Sequence, residues 1–381
     1  MYIAHDSFIT IKKQITLMKK SISWILVLIL LITASSCSKK ASTDQPTPTF
    51  THLATLGLYE YASSTNKRIF LPITAIGGQS VAYYTIFDTG STGMTMDATN
   101  IIPASMITAS GITITGDSVV TNGITIKPPQ LTMNYGDATS STVESGYVAY
   151  ATVTLGDSNG SITTSRIPFF LYYKIVTTTN GVKTTAAAHS ADVFGVGPGT
   201  SYASKLISSP LSYFTLGTGQ TSGFRLAMLN SADFSTTNPT FVAGLLSIGL
   251  IPSDLSSSGF IMHPFASSTT STYTAEIPGT ITYGSTTVTG AKFLFDTGTP
   301  SQTIIENYTA GVGALPANTV VKLTTNQGFT YTYTTASTSN LTAVENPSVT
   351  GDYRTIFSLD FFVSNEYLTD YTNHQIGLKN N

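Results

Sequence analysis

Tyr84-Thr85-Ile86-Phe87-Asp88-Thr89-Gly90-Ser91 and Lys292-Phe293-Leu294-Phe295-Asp296-Thr297-Gly298-Thr299 are two copies of one pattern, an apolar strand that ends in Phe-Asp-Thr-Gly and a hydroxyl residue. Their approaches also match. Residues 71 to 86 and 277 to 294 each read as strand, glycine-containing turn, strand, then the acidic turn. A unit repeated once implies two related lobes, each presenting one carboxylate at the end of a strand. A lone Asp-Thr-Gly is ordinary turn punctuation in a β-protein. Two copies in the same strand context, each followed by Ser or Thr, point to a site.

The residue types suit one chemistry. The Phe-rich strand brings the carboxylate out where water is partly excluded. Glycine permits a tight turn and a close approach of backbones. Thr89 and Thr297 can turn inward and brace the two turns against each other. Ser91 and Thr299 can donate to the carboxylates and favour their ionised form. Two such turns facing each other make carboxylates that share a proton, one a base towards water and the other an acid towards a carbonyl oxygen.

These stretches resemble the paired active-site turns of pepsin-like, bilobal aspartic proteases. Ala191-Asp192-Val193-Phe194-Gly195-Val196-Gly197 resembles the apolar-apolar-Gly segment that backs the first turn in that family. The run from Ile356 through Asp370 to Ile376-Gly377-Leu378 resembles its closing strands. Tyr135-Gly136, followed by Gly146 and a strand from Tyr147 to Leu155, resembles its flap. The resemblance spans most of the chain from about residue 55. It implies an all-β, bilobal fold of two β-barrel-like lobes with the cleft between them. It implies an aspartic endopeptidase that acts on peptide or protein, with catalytic Asp88 and Asp296. Thr89, Gly90, Ser91, Thr297, Gly298 and Thr299 would support them, and Tyr135 and Gly136 would touch substrate. No metal or organic cofactor is implied, and a monomer is expected.

The chain departs from the pattern in three places. The interval from Tyr135 to Gly146 is longer than the usual flap. Thr92-Gly93-Met94-Thr95-Met96 lacks the family's Trp, and the only Trp, Trp24, lies near the amino terminus. Ser358, in Ile356-Phe357-Ser358, stands where the second backing segment would carry Gly, and its side chain is expected to shift the second turn slightly. These departures keep open an alternative, a catalytically weak or inactive scaffold that binds peptide or glycan at a surface.

Composition fits an exported β-protein. Charged residues are only 10% and the formal net charge is −2, so there is no basic stripe for nucleic acid. Met18-Lys19-Lys20 followed by the apolar run Ile22 to Ile32 reads as an export signal too short to span a bilayer comfortably. Ala34-Ser35-Ser36-Cys37 is similar to a bacterial lipoprotein signal, which implies cleavage before Cys37 and lipidation of its thiol and new amino terminus. A plain signal peptide or an uncleaved anchor is the other reading. Cys37 is the only cysteine, so no disulfide framework exists. The expected location is the bacterial cell envelope, lipid-anchored in the outer membrane. The expected divisions are 1–36 signal, 37–53 polar tether, 54–212 first lobe and 213–381 second lobe.

Beyond residue 54 the apolar period is two, with runs at Arg68 to Ile73, Gly111 to Ile114, Tyr147 to Leu155 and Pro168 to Ile175. No long stretch keeps a helical period. Thr319 to Thr350 reads as strands and surface loops. Gly156-Asp157-Ser158-Asn159-Gly160 matches a hydrolase nucleophile pattern, but no helix follows and the composition is that of a hairpin turn. The five His residues have no metal spacing; His189 and His263 are expected in structural or surface roles.

Overall fold

The computed structural model describes residues 49–137, 140–256, 258–269 and 272–381. The signal, Cys37 and most of the tether lie outside the described residues. From Phe50 onward the chain forms one compact unit. It is nearly all β, in two sheet-rich lobes.

Each lobe is built round the same crossing. In the first, Asn66–Ile76 and Gln79–Asp88 form a hairpin. Thr92–Asp97 follows, and Val193–Val196 returns to lie parallel to the first-aspartate strand and antiparallel to Thr92–Asp97. In the second, Ile277–Tyr283 and Thr286–Phe295 form the hairpin. Arg354–Phe357 then lies parallel to the second-aspartate strand and meets Gln302–Glu306 antiparallel. The alternation of apolar residues drives this arrangement. Phe87, Phe194, Phe295 and Phe357 are all buried. Rings of the two backing strands pack on those of the aspartate strands, Phe295 stacking on Phe357 at 5.1 Å. Burying each such ring contributes about 1.5–3 kcal/mol.

A run of strands from both halves of the chain continues the sheet of the first lobe. Ala54–Ser63 pairs with Thr240–Leu250, which pairs with Thr221–Leu226. Asn365–Asp370, Gln375–Asn380 and Ile261–Pro264 complete the run. Thr240–Leu250, with Gly244 and Gly249 within it, therefore lies against the opening strand of the first lobe.

Some boundaries differ from expectation. The strand expected from Tyr147 to Leu155 is two strands, Ser140–Ala151 and Val153–Asp157. The chain changes partner at Thr152: Ala151 pairs with Ile167, whereas Val153 pairs with Ile76. Only Gly111–Ile112 of the Gly111 to Ile114 run is paired. Among the described residues short α-helices occur where no helical period exists, at Pro252–Ser256, Pro347–Thr350 and Leu359–Phe362. Local capping accounts for the second, since Asn346 accepts from Ser348 N–H and Pro347 opens the turn. Gly156 to Gly160 is a hairpin turn, with the Asp157 carboxylate accepting from Asn159.

Candidate active site

Asp88 is the last residue of its strand, and Asp296 follows the last residue of its own. Gly195 lies opposite Asp88 on the parallel neighbour. The Asp296 N–H donates to the Phe357 carbonyl at 2.9 Å. Both carboxylates thus hang from the ends of strands fixed on both sides.

The two turns grip each other through their threonines. The Thr89 N–H donates to Thr297 Oγ1 and the Thr297 N–H to Thr89 Oγ1, both at 3.0 Å. The Thr89 hydroxyl donates to the Phe295 carbonyl at 2.7 Å, and that of Thr297 to the Phe87 carbonyl at 2.6 Å. Both side chains are fully buried. Each bond contributes about 1 kcal/mol, and losing one partner would strand a buried polar group at greater cost.

This grip sets the approach of the carboxylates. A methyl group added at Gly90 would lie 2.5 Å from Asp296 Oδ1, and one at Gly298 would lie 2.7 Å from Asp88 Oδ1. Only glycine fits either position. Asp88 accepts from the N–H groups of Gly90 at 2.7 Å and Ser91 at 3.1 Å, and from the Ser91 hydroxyl at 2.5 Å. Asp296 accepts from the Gly298 N–H at 2.7 Å and the Thr299 hydroxyl at 2.6 Å. Burial pushes the Asp88 carboxyl well up. The charge of Asp296 and a hydrogen bond shared with it add to the rise, while Ser91 and Gly90 pull it back only in part. Asp88 therefore keeps its proton to higher pH than an exposed carboxyl would.

The flap is a hairpin of Ile124–Gly136 and Ser140–Ala151. Its long Tyr135-to-Gly146 interval has a simple origin: the return strand already begins at Ser140, and Gly146 lies well along it, opposite Leu131. Tyr135 sits beside the tip, opposite Thr142, with its hydroxyl 3.3 Å from Thr95 Oγ1. It lies within electrostatic range of Asp88. Gly136 closes the hairpin at φ +86, where a methyl group would strike the Ser140 carbonyl at 2.1 Å. Thr95 therefore supplies the polar contact for Tyr135 in the segment that lacks a Trp. Behind it, Glu144 is fully buried with one carboxylate oxygen lacking a partner, and burial pushes its carboxyl well up.

Ser358 is buried, its hydroxyl without a partner. It precedes the helix Leu359–Phe362 without capping it. The second turn nevertheless keeps the same threonine bonds as the first. His263 is buried and bonded to Thr325 Oγ1 at 2.8 Å. His189 braces the first lobe. Its Nδ1 lies 2.7 Å from Asp192 Oδ2 and its Nε2 2.7 Å from the Thr99 carbonyl, with Tyr83 stacked on the ring.

Arg68 is a neighbour of the second turn that sequence reasoning passed over. Its guanidinium donates to the Gly298 carbonyl at 2.6 Å, reaching from the first lobe to the second turn. In the sequence it is one basic residue near the start of a strand, with nothing to mark its distant partner. Among the described residues no cluster of His, Cys, Asp and Glu is placed to hold a metal ion, and no helix is long and apolar enough to cross a membrane.

A scan against protein-family models finds no match, and a search of curated proteins finds none either. The fold does have a counterpart: the chain is similar to the crystal structure of the aspartic proteinase from Irpex lacteus, with a TM-score of 0.55 and 19% identity over 86% of this chain and 97% of that one, a likeness of pepsin-like, two-lobed architecture.

Proposed function

We propose that the chain is an aspartic endopeptidase that hydrolyses peptide bonds with a water activated between Asp88 and Asp296. The observation that carries this reading is the reciprocal threonine grip, which leaves room for no side-chain carbon between either turn glycine and the opposite carboxylate. One carboxylate takes a proton from the water as it attacks the peptide carbonyl, and the other, protonated, donates to the carbonyl oxygen. The tetrahedral adduct then collapses, the C–N bond breaking as the first carboxyl passes its proton to the leaving nitrogen and the second recovers one from the hydroxyl that becomes the carbonyl. Ser91 and Thr299 keep the acceptor oxygens oriented. Tyr135 closes over the bound strand. The protein is exported and held by a lipid on Cys37 to the bacterial envelope, so its substrates are peptides or proteins met there.

The test uses the full-length chain in detergent with an acid-denatured protein as substrate. Cleavage in acid, blocked by a pepstatin-type inhibitor and abolished by Asp88→Asn and by Asp296→Asn with the fold retained, supports the reading. Cleavage retained in either variant overturns it. Peptide or glycan binding without cleavage by the wild type would identify the inactive scaffold instead. The Cys37→Ser variant should leave the membrane fraction or stay unprocessed; unchanged fractionation and mobility would remove the anchor.

A further inference from the structure

Arg68 is the one cation of the first lobe joined to an aspartate turn of the second among the side-chain bonds of the described residues. It stands on Asn66–Ile76, opposite Tyr61 of the neighbouring strand. Its neighbour Lys67 is already engaged, the ammonium with Asp360 and the N–H with the Pro300 carbonyl. Arg68 is in none of the ion pairs formed among the described residues. Its hydrogen bond goes to a neutral carbonyl, that of Gly298, so no acid in contact cancels its charge.

That carbonyl belongs to a residue wedged between the two acids. The Gly298 N–H donates to Asp296, and its α-carbon faces Asp88 closely enough to exclude a methyl group. A guanidinium fixed there stands near both carboxylates. Burial lowers the proton affinity of Arg68, and the charges of Asp296 and then Asp88 act to raise it. The interaction is reciprocal, so the same cation favours the ionised forms of both acids.

The other groups facing the pair are accounted for. Arg354 feels Asp296 but is already held by Asp352 through both Nε and Nη2. Half-buried Tyr135 faces Asp88 and buried Tyr367 faces Asp296, and desolvation raises the proton affinity of both phenols. Arg68 is thus the facing group with an uncompensated positive charge.

We propose that Arg68 is a positioning residue of the aspartate pair: anchored on the Gly298 carbonyl, it holds the second turn and stabilises the negative charge that the pair carries in its working form. The inference deepens the protease reading and rests on it for its consequence in catalysis. The charge effect itself is a property of the two carboxyls and can be measured without turnover.

The experiment compares wild type, Arg68→Gln and Arg68→Lys, each full-length in detergent and labelled with 13C at the aspartate carboxyl. Gln can keep a donor towards Gly298 while removing the charge; Lys keeps the charge. Infrared titration, differenced against Asp88→Asn, follows the pair directly. Both titration steps should rise by about one pH unit in Arg68→Gln, the scale of a nearby unit charge in a partly screened site. Arg68→Lys should return most of that shift, and both limbs of the pH–rate profile should move with the titration. Unmoved steps in Arg68→Gln, or a Lys variant that matches Gln, would overturn the proposal, since a purely structural contact predicts a loss of rate without a shift. Should Arg68→Gln fail to fold, Arg68→Lys against wild type decides: a folded Lys variant with steps displaced by a full unit overturns the charge role, and steps within a few tenths support it. A titration that moves as expected in a protein without cleavage would sustain the Arg68 inference while the protease reading fell.

Discussion

At the first turn Ser91 Oγ stands 2.5 Å from Asp88, and at the second Thr299 Oγ1 stands 2.6 Å from Asp296; one layer further back the lobes differ. Behind Asp88 lies Gly195, where a methyl group would fall 2.7 Å from the Gly93 carbonyl and 2.8 Å from Ser91 Oγ. Behind Asp296 the chain leaves the strand at Phe357 and enters a short helix, and Ser358 is tolerated. The first lobe also carries the flap and a charged brace, Asp97–Asp192–His189. The contrast teaches that the faces that meet are built alike, whereas each lobe supports its own turn by separate means.

The largest expected effect beyond the aspartates themselves lies in the flap of the first lobe. Tyr135→Ala should lower turnover by roughly one to three orders of magnitude, because a lid excludes water and orders the site. Far-ultraviolet circular dichroism should stay as in wild type. Unchanged turnover would remove Tyr135 from the site and make the lobes functionally more alike than their structures.

The backing layer comes next. Gly195→Ala forces a carbon against Ser91 Oγ and the Gly93 carbonyl, so it should destabilise the fold by about 1–3 kcal/mol, the usual range for overpacking. It should also cut activity, since the displaced Ser91 hydroxyl is the one bonded to Asp88. Denaturant unfolding checks the first effect and a rate assay the second. A variant as stable and active as wild type would mean that the first lobe is no more tightly packed behind its aspartate than the second.

The brace gives the first lobe a pH response. Both imidazole nitrogens of His189 face acceptors, a carboxylate and a carbonyl, so both must carry protons to bond. Burial alone would lower its proton affinity; the bond and charge of Asp192, then the Thr99 carbonyl and Asp97, outweigh it and raise the imidazole above its usual value. A raised histidine contributes stability that is fully present below its unfolded pKa, near 6.5, and lost as pH rises through the folded value. Asp88, Glu60 and Glu144 are buried acids with raised affinity, so they too favour the fold at low pH and lose that as pH rises. The readout is therefore a difference between proteins. His189→Asn tolerates the backbone at φ +58 and removes the cation. At pH 5 it should be less stable than wild type by about 1.5–3 kcal/mol, the range for hydrogen bonds to charged groups. That gap should shrink above neutrality, and a gap that stays constant with pH would deny the imidazolium its role.

What the sequence showed and what it hid follow from this layering. The aspartate turns were legible because Asp-Thr-Gly and a hydroxyl residue stand in contiguous order in both copies, and the strands were legible from their period of two. The partner change at Thr152 was not, because it depends on which distant strand each segment meets. Arg68 and Thr95 were hidden for the same reason: each reads as an unremarkable residue of a strand until the fold brings it to Gly298 or Tyr135. His189 had no spacing to mark it, since its partners come from residues 97, 99 and 192.

Ser358 offers the smallest effect and the finest test of the contrast. Its presence where the pattern asks for glycine raised the expectation of a displaced second turn. The threonine bonds at 3.0 Å on both sides argue instead that the second lobe absorbs the side chain. It does so by turning into helix Leu359–Phe362, with the Leu359 N–H donating to the Thr299 carbonyl at 3.2 Å. What remains is a buried hydroxyl with no partner, a group whose desolvation is uncompensated. Ser358→Ala keeps nearly the same volume and removes that hydroxyl. It should leave stability unchanged or raise it by up to about 1 kcal/mol, and leave turnover as in wild type. Ser358→Gly should also keep turnover, because no close approach demands glycine there. A Ser358→Ala variant destabilised by more than about 1 kcal/mol would mean that the hydroxyl has a bonding role, and that the second lobe, like the first, depends on one particular residue behind its aspartate.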